Sequence, residues 1–192
     1  MSESDSDRKA AALKFVNETP FFAGMNELDR VKDEPRLLVI ITHGFIELAV
    51  NTIIDETCKD GKKITDSRDF THSTRLTLLH EMGLLSDHHY VLLNWFRKLR
   101  NEAAHEPFFK LTKDKLDIFA EDEFREPDKF FKVCSRTIAD LLITFSDILG
   151  PVFMPGLVKP KAQFVLMEEV PAPEYHVKLK SDPKTISREV KH

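Results

Sequence analysis

The chain has 192 residues, 42% of them hydrophobic and 31% charged, with a formal net charge of -4. That length suits one domain with extensions rather than two full domains, and the slight acidity excludes a global attraction for polyanions, so any nucleic-acid contact has to be local. The longest unbroken apolar run, residues 37–41, is too short to cross a bilayer, and MSESDSD at the start is acidic where a secretory leader is basic and then apolar, so a cytoplasmic location without membrane contact is expected.

Taken in order, residues 2–7 are expected to be disordered and residues 8–17 to form a short helix with Ala11, Ala12, Phe15 and Val16 inward. Pro20-Phe21-Phe22 and residues 25–31 read as a partly buried connection whose rings cover one end of the core. Asp33-Glu34-Pro35 supplies acidic residues and a proline where a helix start favours them. Leu37, Leu38, Ile41, Phe45, Leu48, Ala49, Thr52 and Ile53 then recur at spacings of three and four, which predicts a long helix to about Cys58. Residues 59–69 are charged and aperiodic and read as a surface loop. Leu76, Leu79 and Met82 mark a helix over residues 72–82, closed by Gly83, and Ser86 caps the next one.

That next helix, YVLLNWFRKLRNEAAH over residues 90–105, has two chemically distinct sides. At 100° per residue Leu92, Trp95, Phe96, Leu99 and Ala103 fall on one, while Tyr90, Asn94, Arg97, Asn101 and His105 form a stripe on the other, with Arg100 at its flank. Glu106-Pro107 puts His105 at or just past the helix end, because the residue before a proline is pushed out of the α region. Thr112 is expected to cap a short helical piece over residues 113–120. A second long helix is expected over residues 128–149, with Phe131, Cys134, Ile138, Leu141, Leu142, Phe145 and Leu149 inward and Gly150-Pro151 as its stop. Two long and two shorter helices pack most economically as a four-helix bundle.

The resulting expectation is an all-α fold in three parts: an N-terminal extension over 1–34, a bundle over 35–150 and a proline-rich, partly extended tail over 151–192. In that tail, Phe164-Val165-Leu166-Met167 and the alternation Tyr175, Val177, Leu179 are apolar enough to lie as arms on the bundle or on a second subunit. Cys58 and Cys134 lack any CxxC or Cys/His spacing and read as free buried thiols. Neither a metal nor another cofactor is expected. His80, His88 and His89 lack HExxH spacing, no serine sits in a nucleophile-elbow context, Gly61 stands alone, and His43 reads as a core histidine with a local hydrogen bond.

The residues RKLRNEAAHEP, preceded by HEMGLLSDHHYVLL, resemble the mannitol operon repressor-like proteins, a family placed among the HEPN domains, which are small helical bundles. The resemblance covers residues 36–116, from the helix beginning RLLVII through the GLLSD turn to the RN-x-x-x-H block, here Arg100, Asn101 and His105. Many HEPN ribonucleases share that arginine–polar–histidine pattern, so the resemblance implies an up-down bundle, a homodimer and metal-independent RNA cleavage or RNA binding. In that division His105 acts as general base or acid, Arg100 holds the phosphate and Asn101 orients either group. Arg97 and Lys98 extend the phosphate contact; six Lys/Arg against three Asp/Glu over residues 94–115 make this a basic patch in an acidic chain.

Other readings of the same residues stay open. Asn101 and His105 stand at i and i+4, where they can form a helix C-terminal cap. Arg97 and Arg100 can pair with Glu102, Glu106 or a neighbouring helix. The resemblance also allows a non-catalytic regulator of transcription that acts through a protein partner. Sequence-specific DNA reading is not expected, because a recognition helix carrying Leu92, Trp95 and Phe96 would bring core residues into the groove.

Overall fold

A proline at the first helical position loses no hydrogen bond, and two helices here open that way: α1 at Pro20–Arg30 and α2 at Pro35–Thr57. The structure, a computed structural model, describes Lys14, residues 18–156, Leu179 and Lys180. The expectations for residues 2–7, for all but Lys14 of the helix over 8–17, and for Phe164 to Val177 lie outside those residues. The remaining elements are α3 (Gly61–Thr65), α4 (His72–Glu81), α5 (Asp87–His105), α6 (Phe130–Thr144) and α7 (Ser146–Phe153), with three short 3-10 turns between α5 and α6. The described chain is all-α, with no strand.

Helix α2 is the central element, packed against every other described helix. Its buried face is Leu38, Val39, Thr42, His43, Ile46, Ala49, Val50, Ile53 and Ile54. Two residues of the three-and-four spacing face outward: Leu37 is 44% exposed and Leu48 is 48% exposed, and they share the outer face with Ile40. The helix is long and apolar enough to cross a membrane by length and composition, yet half of its most apolar window is buried within the bundle.

The partly buried connection expected over residues 20–22 and 25–31 is the helix α1, Pro20–Arg30. Leu28 of α1 is fully buried, and Gly24 leaves the space that the Phe45 ring of α2 occupies. Residues 59–69 likewise hold a helix where a loop was expected. There Gly61 lies so close to the end of α2 that a Cβ would stand 2.4 Å from the Ile54 carbonyl oxygen, and Thr65 donates to Asp55 Oδ1 at 2.8 Å.

Local stop and start signals act as expected in the α4–α5 turn. Gly83 takes φ of +70°, and its N–H and that of Leu84 bond back to His80 and Leu79 carbonyls at 2.9 and 3.0 Å. Ser86 Oγ then accepts from the His89 backbone N–H at 3.3 Å. The same hydroxyl lies 2.9 Å from His89 Nδ1, and His89 Nε2 lies 3.0 Å from Asp140 Oδ2, a buried bond that ties α5 to α6. Leu92, Phe96, Leu99 and Ala103 are buried as the periodicity of α5 requires, with Leu93 beside them.

The single helix expected over residues 128–149 is two. It begins after a 3-10 turn at Pro127–Lys129 and breaks at Phe145 (φ -112°, ψ 32°), and Pro151 sits inside α7 instead of ending it. Burying Leu149 and Phe153 contributes about 3–6 kcal/mol, of the order of the roughly 3 kcal/mol that an interior proline costs. The packed core therefore extends beyond residues 35–150 at both ends, to Leu28 and to Phe153. The helical piece expected after Thr112 contracts to the 3-10 turn Asp114–Leu116.

Both cysteines are free. Burial pushes the Cys134 thiol up to about 12, whereas Cys58 is only half-buried, its Sγ 4.0 Å from Met82 Sδ. From the tail, Leu179 pairs with Phe119 in an antiparallel bridge, and Lys180 bonds Ile118 O through its backbone at 2.9 Å and Asp117 through its ammonium.

Candidate functional site

Three helices converge on one surface cleft of about 330 Å³. It is lined by His43 and Glu47 of α2, by Thr71, His72 and Ser73 at the start of α4, and by Arg97, Arg100 and Asn101 of α5. Of the residues expected at a site, Arg97, Arg100 and Asn101 are brought together here.

Their side chains are poised rather than consumed. Arg97 Nε donates to Asn94 Oδ1 at 3.2 Å, and Arg100 donates to Asn101 Oδ1 at 3.4 Å, but neither guanidinium forms an ion pair among the described residues. Glu102 and Glu106, the carboxylates at the end of the same helix, are engaged by Lys115, which pairs with Glu102 and lies 3.8 Å from Glu106. Lys115 also stands 4.8 Å over the Phe109 ring, and its carbonyl accepts from Trp95 Nε1 at 3.0 Å. The segment after α5 thus draws negative charge away from the arginine face. Two guanidiniums against the one carboxylate of Glu47 leave a net positive charge in this concave place.

His105 is not in the cleft. It ends α5 as an exposed residue whose side chain has no hydrogen-bond or ion-pair partner among the described residues, so the cap with Asn101 does not form. The helix turns 140° between Arg100 and His105, which aims the two side chains to different sides. Lys98 is exposed and faces a second groove, of about 450 Å³, lined by Ser73, Tyr90, Val91, Asn94, Trp95, Arg97, Lys98 and Ile118. Ser73 and Arg97 line both concavities, so the cleft and the groove join there.

Two cleft residues were not anticipated as site residues. His43 was expected to hydrogen-bond locally, yet its Nε2 is buried without a partner among the described residues, and so are both ring nitrogens of His72. The rings meet edge to face, 4.8 Å between centroids at 62°. Burial holds both below the ordinary histidine pKa; Arg100 and Arg97 add to this for His43, against the opposing pull of Glu47. For His72 the value is lowered to about 3, by burial first and then by His43, Arg75, Arg97 and Arg100. Both imidazoles are therefore neutral at physiological pH. The one available signal, a histidine interrupting the inward face of a long apolar helix, gives no hint of what it faces.

Arg75 holds the wall of the cleft in place. It is buried, and its guanidinium donates to Asn51 Oδ1 at 2.9 Å and to the Thr65 carbonyl at 2.7 Å, tying α4 to α2 and to the end of α3. Among the described residues no group of three or more His, Cys, Asp or Glu is arranged to hold a metal ion. Comparison with protein-family models, with curated proteins and with solved structures found no match to this chain.

Proposed function

We propose that this protein is an HEPN-like, metal-independent endoribonuclease that binds single-stranded RNA along the joined cleft and groove. The observation that carries the reading is the pair Arg97 and Arg100, lining one cleft in which Glu47 is the single carboxylate and forming no ion pair among the described residues. Arginines in excess over carboxylate at a concave surface suit a phosphate, whose oxygens match the guanidinium fork. The adjoining groove adds two aromatic side chains and a basic group, Tyr90, Trp95 and Lys98, of the kinds that single strands contact. The resemblance of the RN-x-x-x-H block to HEPN ribonucleases supplies the reaction.

Cleavage in this scheme needs no metal. The 2′-hydroxyl loses its proton to a base, its oxygen attacks phosphorus, and the bond to the 5′-oxygen breaks as that oxygen gains a proton. The products are a 2′,3′-cyclic phosphate and a 5′-hydroxyl. Arg100 holds the non-bridging oxygens, Asn101 keeps the guanidinium oriented through its 3.4 Å bond, and His105 exchanges the proton. Because His105 and Arg100 of one chain project apart, a homodimer is part of the proposal, in which His105 of one protomer works beside Arg100 of the other. Exposed Leu37, Ile40 and Leu48 offer an apolar face for that contact, next to His43 and Glu47 on the same helix.

The test is cleavage of a labelled single-stranded RNA by pure protein with EDTA present. Arg100→Ala and His105→Ala are each expected to lower the rate by about 10²-fold or more. Affinity for uncleavable RNA should fall with salt at a log–log slope of about -2, as three contacts from Arg97, Lys98 and Arg100 imply. Equal cleavage by all three proteins would assign the activity to a contaminant. If RNA neither binds nor is cleaved, the exposed apolar face favours the second reading, a non-catalytic regulator of the mannitol operon repressor-like kind acting through a protein partner.

A further inference from the structure

Buried polar atoms in folded proteins almost always have a hydrogen-bond partner, and an orphan calls for a cause. Three orphans fall in the same place here: Nε2 of His43 and both ring nitrogens of His72. His43 is 5% exposed, so its Nε2 has given up hydration without a hydrogen bond in exchange. The two rings come from different helices, α2 and α4, and line one cleft with Arg97 and Arg100 of α5. The edge-to-face contact between them joins ring to ring and satisfies none of these nitrogens.

We propose that His43 and His72 are ligand-contacting residues of this cleft, donating ring N–H hydrogen bonds to the non-bridging oxygens of a phosphodiester that Arg97 and Arg100 bind by charge. The inference rests on reading the cleft as a phosphate site and adds two residues outside the Arg-Asn-His block together with a preferred charge state of the ligand.

Charge selects the diester. The ionised side chains lining the cleft are Arg97, Arg100 and Glu47, one positive charge in excess, and the imidazoles add none because burial and the arginines keep them neutral. An internucleotide phosphodiester carries one negative charge, whereas a terminal phosphate carries nearly two at neutral pH. A neutral imidazole is the donor suited to this balance: it contributes an N–H without adding a charge to be offset. A bound anion in turn screens the arginines from the rings, so ligand binding should raise the pKa of both histidines.

The experiment is a nitrogen-edited NMR titration of the histidine rings in the full chain at pH 7.5, with 2′-O-methylated hexauridylate as the probe, since it cannot undergo 2′-oxygen attack. Saturation is expected to move the ring nitrogen and ring proton signals of both His43 and His72. His43→Phe and His72→Phe keep an aromatic ring and remove the N–H; each should weaken binding about tenfold or more, as loss of a hydrogen bond to a charged acceptor does. The ring titration on the unsubstituted chain decides the matter even if a variant fails to fold.

Probe binding that moves Arg97 and Arg100 signals while both histidine rings stay unchanged would overturn this inference and leave the RNA-binding reading standing. No binding of the probe at all would overturn both. Tighter binding of inorganic phosphate than of the hexanucleotide would overturn the assignment of a diester.

Discussion

His72 shows how a single side chain can tie stability to the site. In the folded chain its pKa lies at about 3, and in the unfolded chain it returns to about 6.5, so the unfolded state takes up the proton first as pH falls. Its contribution to stability is complete above about pH 6.5 and drains away on acidification toward pH 3, at up to about 1.4 kcal/mol per pH unit. His43 is shifted in the same direction and adds to the slope. Asp55, Asp117 and Glu123 are shifted down, so their contributions vanish only in the carboxylate range, and pH 5.0 to 6.5 belongs to the histidines. Urea unfolding across that window should show a shallower pH slope for His72→Phe than for the unsubstituted chain; identical slopes would contradict the neutral, buried state of His72. At this scale the sequence reading identified Arg97, Arg100 and Asn101, which lie within five residues on one helix face. It overlooked His72 and read His43 as locally satisfied, because what matters for both is the company of residues on other helices.

At the scale of elements, the boundaries written in local chemistry were legible. Pro35 opens α2, Gly83 closes the α4 turn with a left-handed backbone, and Ser86 caps α5. The elements that were not legible depend on distant partners. Helix α3 is a single turn held by contact with the end of α2, and the break at Phe145 lets α7 deliver Leu149 and Phe153 to the core. Arg75 is the clearest case, since its bonds to Asn51 and Thr65 draw a charged, aperiodic stretch onto the bundle. Arg75→Met should cost about 3 kcal/mol, because it leaves the Thr65 carbonyl and Asn51 without their donor. Arg75→Lys should recover little of this, since an ammonium lacks the fork that reaches both acceptors. Chemical denaturation measures the loss, and limited proteolysis should show new cleavage within residues 61–67; unchanged stability in Arg75→Met would remove the guanidinium from this role.

For the whole molecule, the exposed line of Leu37, Ile40 and Leu48 beside the cleft is the feature that one chain leaves unresolved. If two copies meet there, sedimentation velocity at tens of micromolar should give a dimer, and the double variant Leu37→Glu, Leu48→Glu should give a monomer with unchanged helix content. A dimer that survives both charges would place the contact elsewhere. By itself the sequence determined the all-α class, the core side of α5 and the clustering of basic groups near its end, because helical periodicity and capping act within a few residues. Only the tertiary structure decided that α1 and α7 belong to the packed unit, that Leu37 and Leu48 face outward, that His105 stands apart from Arg100's cleft, and that two unpaired histidines line that cleft. Those outcomes depend on which helix faces meet, and residues such as His43 and His72, separated along the chain, become neighbours only when α2, α4 and α5 pack.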